Sequence, residues 1–259
     1  MLLTLDIGNT EITAGIFRGD QLMSQWRLTT APDRTPDEWA MTIGGFLEQR
    51  GHSPNEVRAA CVASVAPTVT RSILDGVTAS TGVQPVLVEP ASQLPVVLDV
   101  DEPLTVGADR IANVLAALEA GWGDAIVADF GTATTFDCIT GDGRFIGGAI
   151  MPGLRTGADQ LTRRAAKLPA TELTAPERVI GRRTEDCIRA GVLFGTADAV
   201  DGIVGRIRAE WSGTGTVRCV ATGGLASLIA PLTRSIEAVH PDLTLQGIRI
   251  AARHLGQRW

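Results

Sequence analysis

One internal echo constrains this chain more than any other feature. An apolar run over residues 2–7 ends in Asp6-Ile7-Gly8-Asn9-Thr10. A second apolar run, Ala125-Ile126-Val127-Ala128, ends in Asp129-Phe130-Gly131-Thr132, 123 residues further on. Each copy is followed by two more strand-like runs, 11–17 and 21–29 in the first and 133–140 and 143–150 in the second. Gly19-Asp20 and Gly141-Asp142-Gly143 supply the turns between them. Two similar halves of this size predict a duplicated α/β fold, with lobes at 1–120 and 121–259 and a cleft between them.

The rest of the chain fits alternating strands and helices. Residues 36–50 have helical spacing (Trp39, Ile43, Phe46, Leu47), with Thr35 and Glu38 placed for a capping box. Strands are expected over 57–65 and 85–89, and helices over 68–79 and from Ala108 to about Ala120. Residues 91–106 read as an irregular connection. In the second half a helix is expected from about 153, one long helix or two over 184–211, a strand over 216–221, a helical segment opened by Gly223-Gly224, and a closing helix over 244–257.

An Asp-x-Gly turn at a strand end brings backbone N–H groups close to an anion, and nearby hydroxyl and amide groups add donors. Asn9, Thr10 and Thr13 are such groups in the first copy, and Thr132, Thr134 and Thr135 in the second. Asp6 and Asp129 can hold a hydrated Mg²⁺ or another cation beside phosphates. One copy alone reads as an ordinary hairpin; a pair in a duplicated frame reads as two phosphate loops. Gly107-Ala108-Asp109-Arg110 opens a helix. Asp109 is favoured there by the helix dipole, and it can equally accept a proton from a substrate hydroxyl. Arg110 can meet a carboxylate through a bidentate contact, or belong to a surface ion pair. Gly223-Gly224 suits either a close approach by adenine or ribose, or a plain strand-to-helix turn.

Composition removes several classes. Lys167 is the only lysine beside the arginines, and it stands in Ala-Ala-Lys-Leu-Pro. A P-loop needs Gly-Lys-Ser/Thr and a protein kinase needs a strand lysine, so the lysine context argues against both. The net charge of −6 and the scattered arginines predict neither a nucleic-acid nor a membrane-surface partner. Cys61, Cys138, Cys187 and Cys219 form no C-x-x-C pair, which argues for buried free thiols rather than a metal or redox motif. The first residues lack a signal-peptide pattern, and no apolar stretch is long enough for a membrane span, so a cytoplasmic location is expected.

These features together resemble the type III pantothenate kinases. The resemblance is carried by LDIGNTEITAGIF, VGADRIANVLAA, VADFGTATTFDCI, FIGGAIMPGL, the stretch from Thr184 to Gly191, VDGIVGRI and VATGGLA, collinear over nearly the whole chain. It implies an actin-like, RNase H-like duplicated fold of the ASKHA type, with a nucleotide cleft between two lobes. It implies transfer of the ATP γ-phosphoryl group to pantothenate, giving 4′-phosphopantothenate for coenzyme A synthesis.

Residue by residue, the resemblance places ATP on Asp6, Ile7, Gly8, Asn9, Thr10, Glu11, Ile12, Thr13 and Thr132, with Gly223 and Gly224 near the nucleoside. It makes Asp109 the proton acceptor and puts pantothenate against Val100, Gly107, Ala108, Asp109 and Arg110. Thr184 is then reached across a homodimer interface. Asp129 becomes the ligand of a monovalent cation, K⁺ or NH₄⁺, and Asp6 a water-mediated Mg²⁺ contact. Val100 stands where the family usually has an aromatic residue, and Arg183 where it commonly has Asn. Both departures touch the acid-binding side. They leave open a kinase of another small hydroxy acid, beside a non-catalytic accessory member of the family.

Overall fold

The computed structural model describes residues 1–213 and 215–259. Its contacts divide the chain into two compact units, Met1–Ala120 with Leu243–Trp259, and Gly121–Asp242. The closing helix, expected to finish the second lobe, is therefore part of the first unit.

In the first unit, β1 (Leu2–Ile7), β2 (Glu11–Arg18) and β3 (Gln21–Thr29) form the expected meander. α1 (Pro36–Gln49) follows, capped at Thr35, whose hydroxyl accepts from the Glu38 amide while the Glu38 carboxylate accepts from the Thr35 amide. β4 (Ala59–Ser64), α2 (Pro67–Thr81) and β5 (Val86–Val88) complete a sheet of order β3-β2-β1-β4-β5. β1 runs antiparallel to β2 and parallel to β4. The connection read as irregular contains a two-residue strand, β6 (Val97–Leu98), before α3 (Ala108–Glu119).

Strand alternation splits the sheet into two faces. Leu3, Leu5, Ile7, Ile12, Ala14 and Ile16 pack with Trp39, Ile43, Leu47, Val69, Ile73 and Val77 of α1 and α2. The other face, which carries Thr4 and Asp6, is covered by the last helix of the chain. A Cβ added at Gly15 would lie 3.0 Å from the Leu245 side chain and 3.0 Å from Thr4 Oγ1.

The second unit repeats this plan. β7 (Ala125–Phe130), β8 (Ala133–Ile139) and β9 (Arg144–Pro152) form the second meander, followed by α4 (Leu154–Arg164) and one continuous helix, α5 (Thr184–Glu210). β10 (Arg218–Thr222), the short α6 (Ala226–Ile229) and β11 (Ala238–Val239) follow. The strand order β9-β8-β7-β10-β11 mirrors that of the first unit, with β7 antiparallel to β8 and parallel to β10. Its core joins Ile126, Ala128, Phe130 and Phe136 to Leu193, Val200 and Val204 of α5. β11 follows no apolar run long enough to be read from sequence. α7 (Leu243–His254) then returns to the first unit.

Three cysteines are buried as expected, and burial pushes the thiols of Cys61 and Cys219 up to about 12. Cys187, in the first turn of α5, is exposed instead. Among the described residues no helix is long and apolar enough to cross a membrane.

Candidate active site

Asp6 is the next-to-last residue of β1, on the face shared with Thr4, paired with Thr13 on β2 and Ala63 on β4. The Gly8-Asn9-Thr10 turn is closed by the Gly8 amide, which donates to Glu11 O at 3.0 Å. Thr30, just past β3, holds the turn from the side. Its hydroxyl donates to Gly8 O at 2.7 Å and its amide to Thr10 O at 2.9 Å. Asn9 and Thr10 are exposed at the tip. Ile7 and Ile12 are fully buried in the core, so only their backbone is available to a ligand. The Glu11 carboxylate is engaged by Arg27 at 3.0 Å.

The second turn has the same construction with one residue fewer. Asp129 pairs with Thr135 on β8 and Thr222 on β10, and the Gly131 amide donates to Ala133 O at 3.0 Å. Here the side support comes from the start of α4. The Gly153 amide donates to Thr132 O at 3.1 Å, and the Thr156 hydroxyl to the same oxygen at 2.7 Å. Thr132 is exposed at the tip. Thr134 departs from expectation. It shares the face of Phe130 and Phe136 and is buried, unlike the exposed Thr132. Gly223 adopts φ +91, and a Cβ there would lie 2.4 Å from Asp129 Oδ1 and 2.6 Å from the Phe130 nitrogen. The Gly-Gly turn thus lets the backbone pass against the Asp129 carboxylate. Gly224 is exposed.

α3 brings Asp109 to the first turn. Gly107 caps the helix, and the Asp109 carboxylate folds back over it, accepting from the Arg110 amide at 2.8 Å. A Cβ at Gly107 would sit 2.4 Å from Asp109 Oδ1 and 3.3 Å from the Val65 side chain. Val65 follows β4, and its amide donates to Ile7 O at 3.0 Å. Asp109 therefore lies at the carboxyl ends of β1 and β4, beside the Asp6 turn and within one unit. The surrounding protein removes enough water to push its pKa up. The Arg110 amide and guanidinium oppose the rise but do not cancel it. Ala108 is buried in the same turn, and Val100 is half-buried in the segment leading to it. Thr184 is the first residue of α5, in the second unit, and is exposed.

The sequence reading did not single out Val65, Thr30 or Thr156. A lone Thr after a strand and a Val before a helix have no motif; only the chain crossing reveals their contacts.

No group of three or more His, Cys, Asp or Glu side chains that could hold a metal occurs among the described residues. Two single carboxylates, each beside a turn of backbone amides, do suit a cation that takes most of its ligands from water and phosphate oxygens.

A duplicated β-meander sheet, with an Asp-x-Gly turn in each copy, defines an actin-like fold. Solved structures agree on the fold. The activator of 2-hydroxyisocaproyl-CoA dehydratase from Clostridium difficile aligns with TM-score 0.58 at 14% identity, over 98% of this chain and 93% of that one. A ROK hexokinase from Thermus thermophilus aligns with TM-score 0.52 at 14% identity, over 97% of both chains. Sequence resolves the family. Residues 2–206 match the family described as type III pantothenate kinase. Proteins of that name from Moorella thermoacetica (43% identity over 96% of this chain and 98% of that one) and Geobacter sulfurreducens (41% over 96% and 97%) align along nearly their whole length. The chain belongs to the type III pantothenate kinase family.

Proposed function

We infer that this protein phosphorylates pantothenate from ATP, the step that commits pantothenate to coenzyme A. Family membership gives the reaction. The observation that supports a working catalyst is the seat of Asp109: a carboxylate with raised pKa at the carboxyl ends of β1 and β4, on the unit that carries the Asp6 turn. Such a group is a stronger proton acceptor than a solvated aspartate.

In this reading the pantothenate hydroxyl oxygen bonds to the γ-phosphorus as the bond from that phosphorus to the β,γ-bridging oxygen breaks. ADP leaves, and the hydroxyl proton passes to Asp109. Arg110, the next residue of the helix, receives the pantothenate carboxylate. Val100, Gly107 and Ala108 line that side, and Thr184 serves it from a partner copy in a homodimer. The amides and hydroxyls of residues 6–13 and Thr132 orient the phosphates, and Gly223-Gly224 makes room for the nucleoside. Mg²⁺ at Asp6 and K⁺ or NH₄⁺ at Asp129 would supply the positive charge that the near absence of lysine leaves wanting. The enzyme works as a cytoplasmic protein.

The test is product formation. Purified protein with ATP, Mg²⁺, K⁺ and pantothenate is expected to release 4′-phosphopantothenate and ADP in equal amounts. Excess chelator is expected to stop both. ADP release without phosphopantothenate, or turnover only with another hydroxy acid, would overturn the assignment of substrate.

A further inference from the structure

Asp109 is placed by α3, and α3 is gripped by the last helix of the chain. Thr244, in the first turn of α7, donates its hydroxyl to Asn113 Oδ1 at 3.0 Å. Both residues are buried, at 8% and 1% exposure. Asn113 stands four residues after Asp109, one helical turn away on the same side of α3. One turn along α7, Gly247 meets Ala112 backbone to backbone: an added Cβ would fall 1.9 Å from Ala112 O. No side chain cushions that contact, so a shift of α7 is passed directly to α3. At the far end the buried Arg249 bonds Asp20 at 2.5 Å and reaches Glu119, at the end of α3, at 3.5 Å.

We propose that Thr244 is a positioning residue for catalysis: through Asn113 it fixes the register of α3 and hence the place of the Asp109 carboxylate. The proposal rests on Asp109 being the proton acceptor. Stability alone is a poor reason for this pair, because an apolar pair of the same shape can be as stable in a buried helix contact. What a buried hydrogen bond adds is a single allowed register. Leu245 and Ile248, equally buried, supply the cohesion of α7 but would tolerate small slides. The carboxylate they must place sits in a notch sized by the missing Cβ of Gly107, where there is little room for error.

Thr244→Val keeps the shape and removes the donor; Thr244→Ala serves if valine is not accommodated. The full-length variants are compared in kcat, in KM for ATP and in melting temperature. The expected result is a fall in kcat of about 10-fold, short of the ~10²-fold that a misplacement of about 1 Å can cause. KM for ATP is expected to stay at the wild-type value, and Thr244→Ser to recover most of the loss. A lower melting temperature with wild-type kcat would overturn the proposal, as would a Thr244→Ser variant as slow as Thr244→Val. Asp109→Asn separates the two ideas. If it turns over normally, the role of Asp109 itself is wrong. If it is inactive while Thr244→Val is normal, only the positioning role fails.

Discussion

The two turns share a plan and differ in how they are held. In the first unit the turn is longer by one residue, and it is pinned by Thr30, a residue with a side chain to spare for Gly8 O. In the second the turn is shorter, and its support is the backbone of Gly153 and the first turn of α4. The neighbouring strands diverge in the same sense. After β4 the chain turns on Ser64, whose hydroxyl accepts from the Ala66 amide at 3.2 Å and pairs with Thr70 Oγ1 at 2.6 Å. After β10 it turns on Gly223 with positive φ, against Asp129. Duplication preserved the hydrogen-bonded frame and released the side chains. One copy is built from hydroxyls and stands beside Asp109. The other adds the Gly153 backbone to the Thr156 hydroxyl and leaves its carboxylate close to the main chain.

The sharpest test of this comparison is to remove the acid that stands beside the Asp6 turn within its own unit. Asp109→Asn is expected to cut turnover by about 10²–10⁴-fold, the usual contribution of a positioned proton acceptor. ATP binding, followed by calorimetry, is expected to survive. Loss of ATP binding along with turnover would place Asp109 among the nucleotide ligands and undo the division of roles between it and the two turn aspartates.

The next test compares the two supports. In Gly153→Ala the new methyl would meet Gly131 O and Thr132 O, each at 2.4 Å, and neither is the end of a flexible side chain. A cost of about 1–3 kcal/mol is expected from this overpacking. The matching position in the first unit, Thr30, already carries a Cβ, so Thr30→Ala is expected to cost only the lost hydrogen bond, about 1 kcal/mol. Denaturant midpoints of the two variants check the order. Equal losses would mean that the turns are held alike.

A smaller effect sharpens the special state of Asp109. Its folded pKa is raised chiefly by burial, so the unfolded chain ionises it more readily. The native state then holds the proton over a window where the unfolded state has lost it, and stability falls as pH rises through that window. Asp109→Asn removes the penalty while its amide oxygen can still accept from the Arg110 amide. The variant is expected to melt above the wild type at pH 7–8, with the gap closing as pH drops below the ordinary aspartate range. A gap that widens toward acid would show that the folded protein stabilises the carboxylate instead. Asp201 provides the opposite sign. Burial pushes its pKa up, but the Ser235 hydroxyl and the amides of Arg234 and Ser235 outweigh it and hold the pKa down. Its contribution is present above the ordinary carboxylate range and is lost as pH falls through the lowered value.

Much of this comparison was legible in the sequence, because strand alternation and Asp-x-Gly punctuation are local. The two meanders, the Thr35–Glu38 capping box and α3 beginning at Ala108 all follow from residues a few positions apart. Cys187 and Thr134 were misjudged for one reason: composition does not say which face a residue takes. Thr134 falls on the core side by strand alternation once the register with Phe130 is fixed. The seat of Asp109 against Val65 and the return of α7 to the first unit join residues far apart in the chain. No periodicity encodes such meetings.

That return has a consequence for how the protein comes into being. Gly121–Asp242 is a continuous stretch, whereas the unit bearing Asp109 is assembled from Met1–Ala120 and the last 17 residues, Leu243–Trp259. Chains made from the N-terminus usually fold their first domain first. Here the first-made segment lacks the helix that covers one side of its sheet until residues 243–254 have been made, whereas Gly121–Asp242 is continuous. A chain released short of Leu243 would lack the helix that covers this side of the sheet and grips α3.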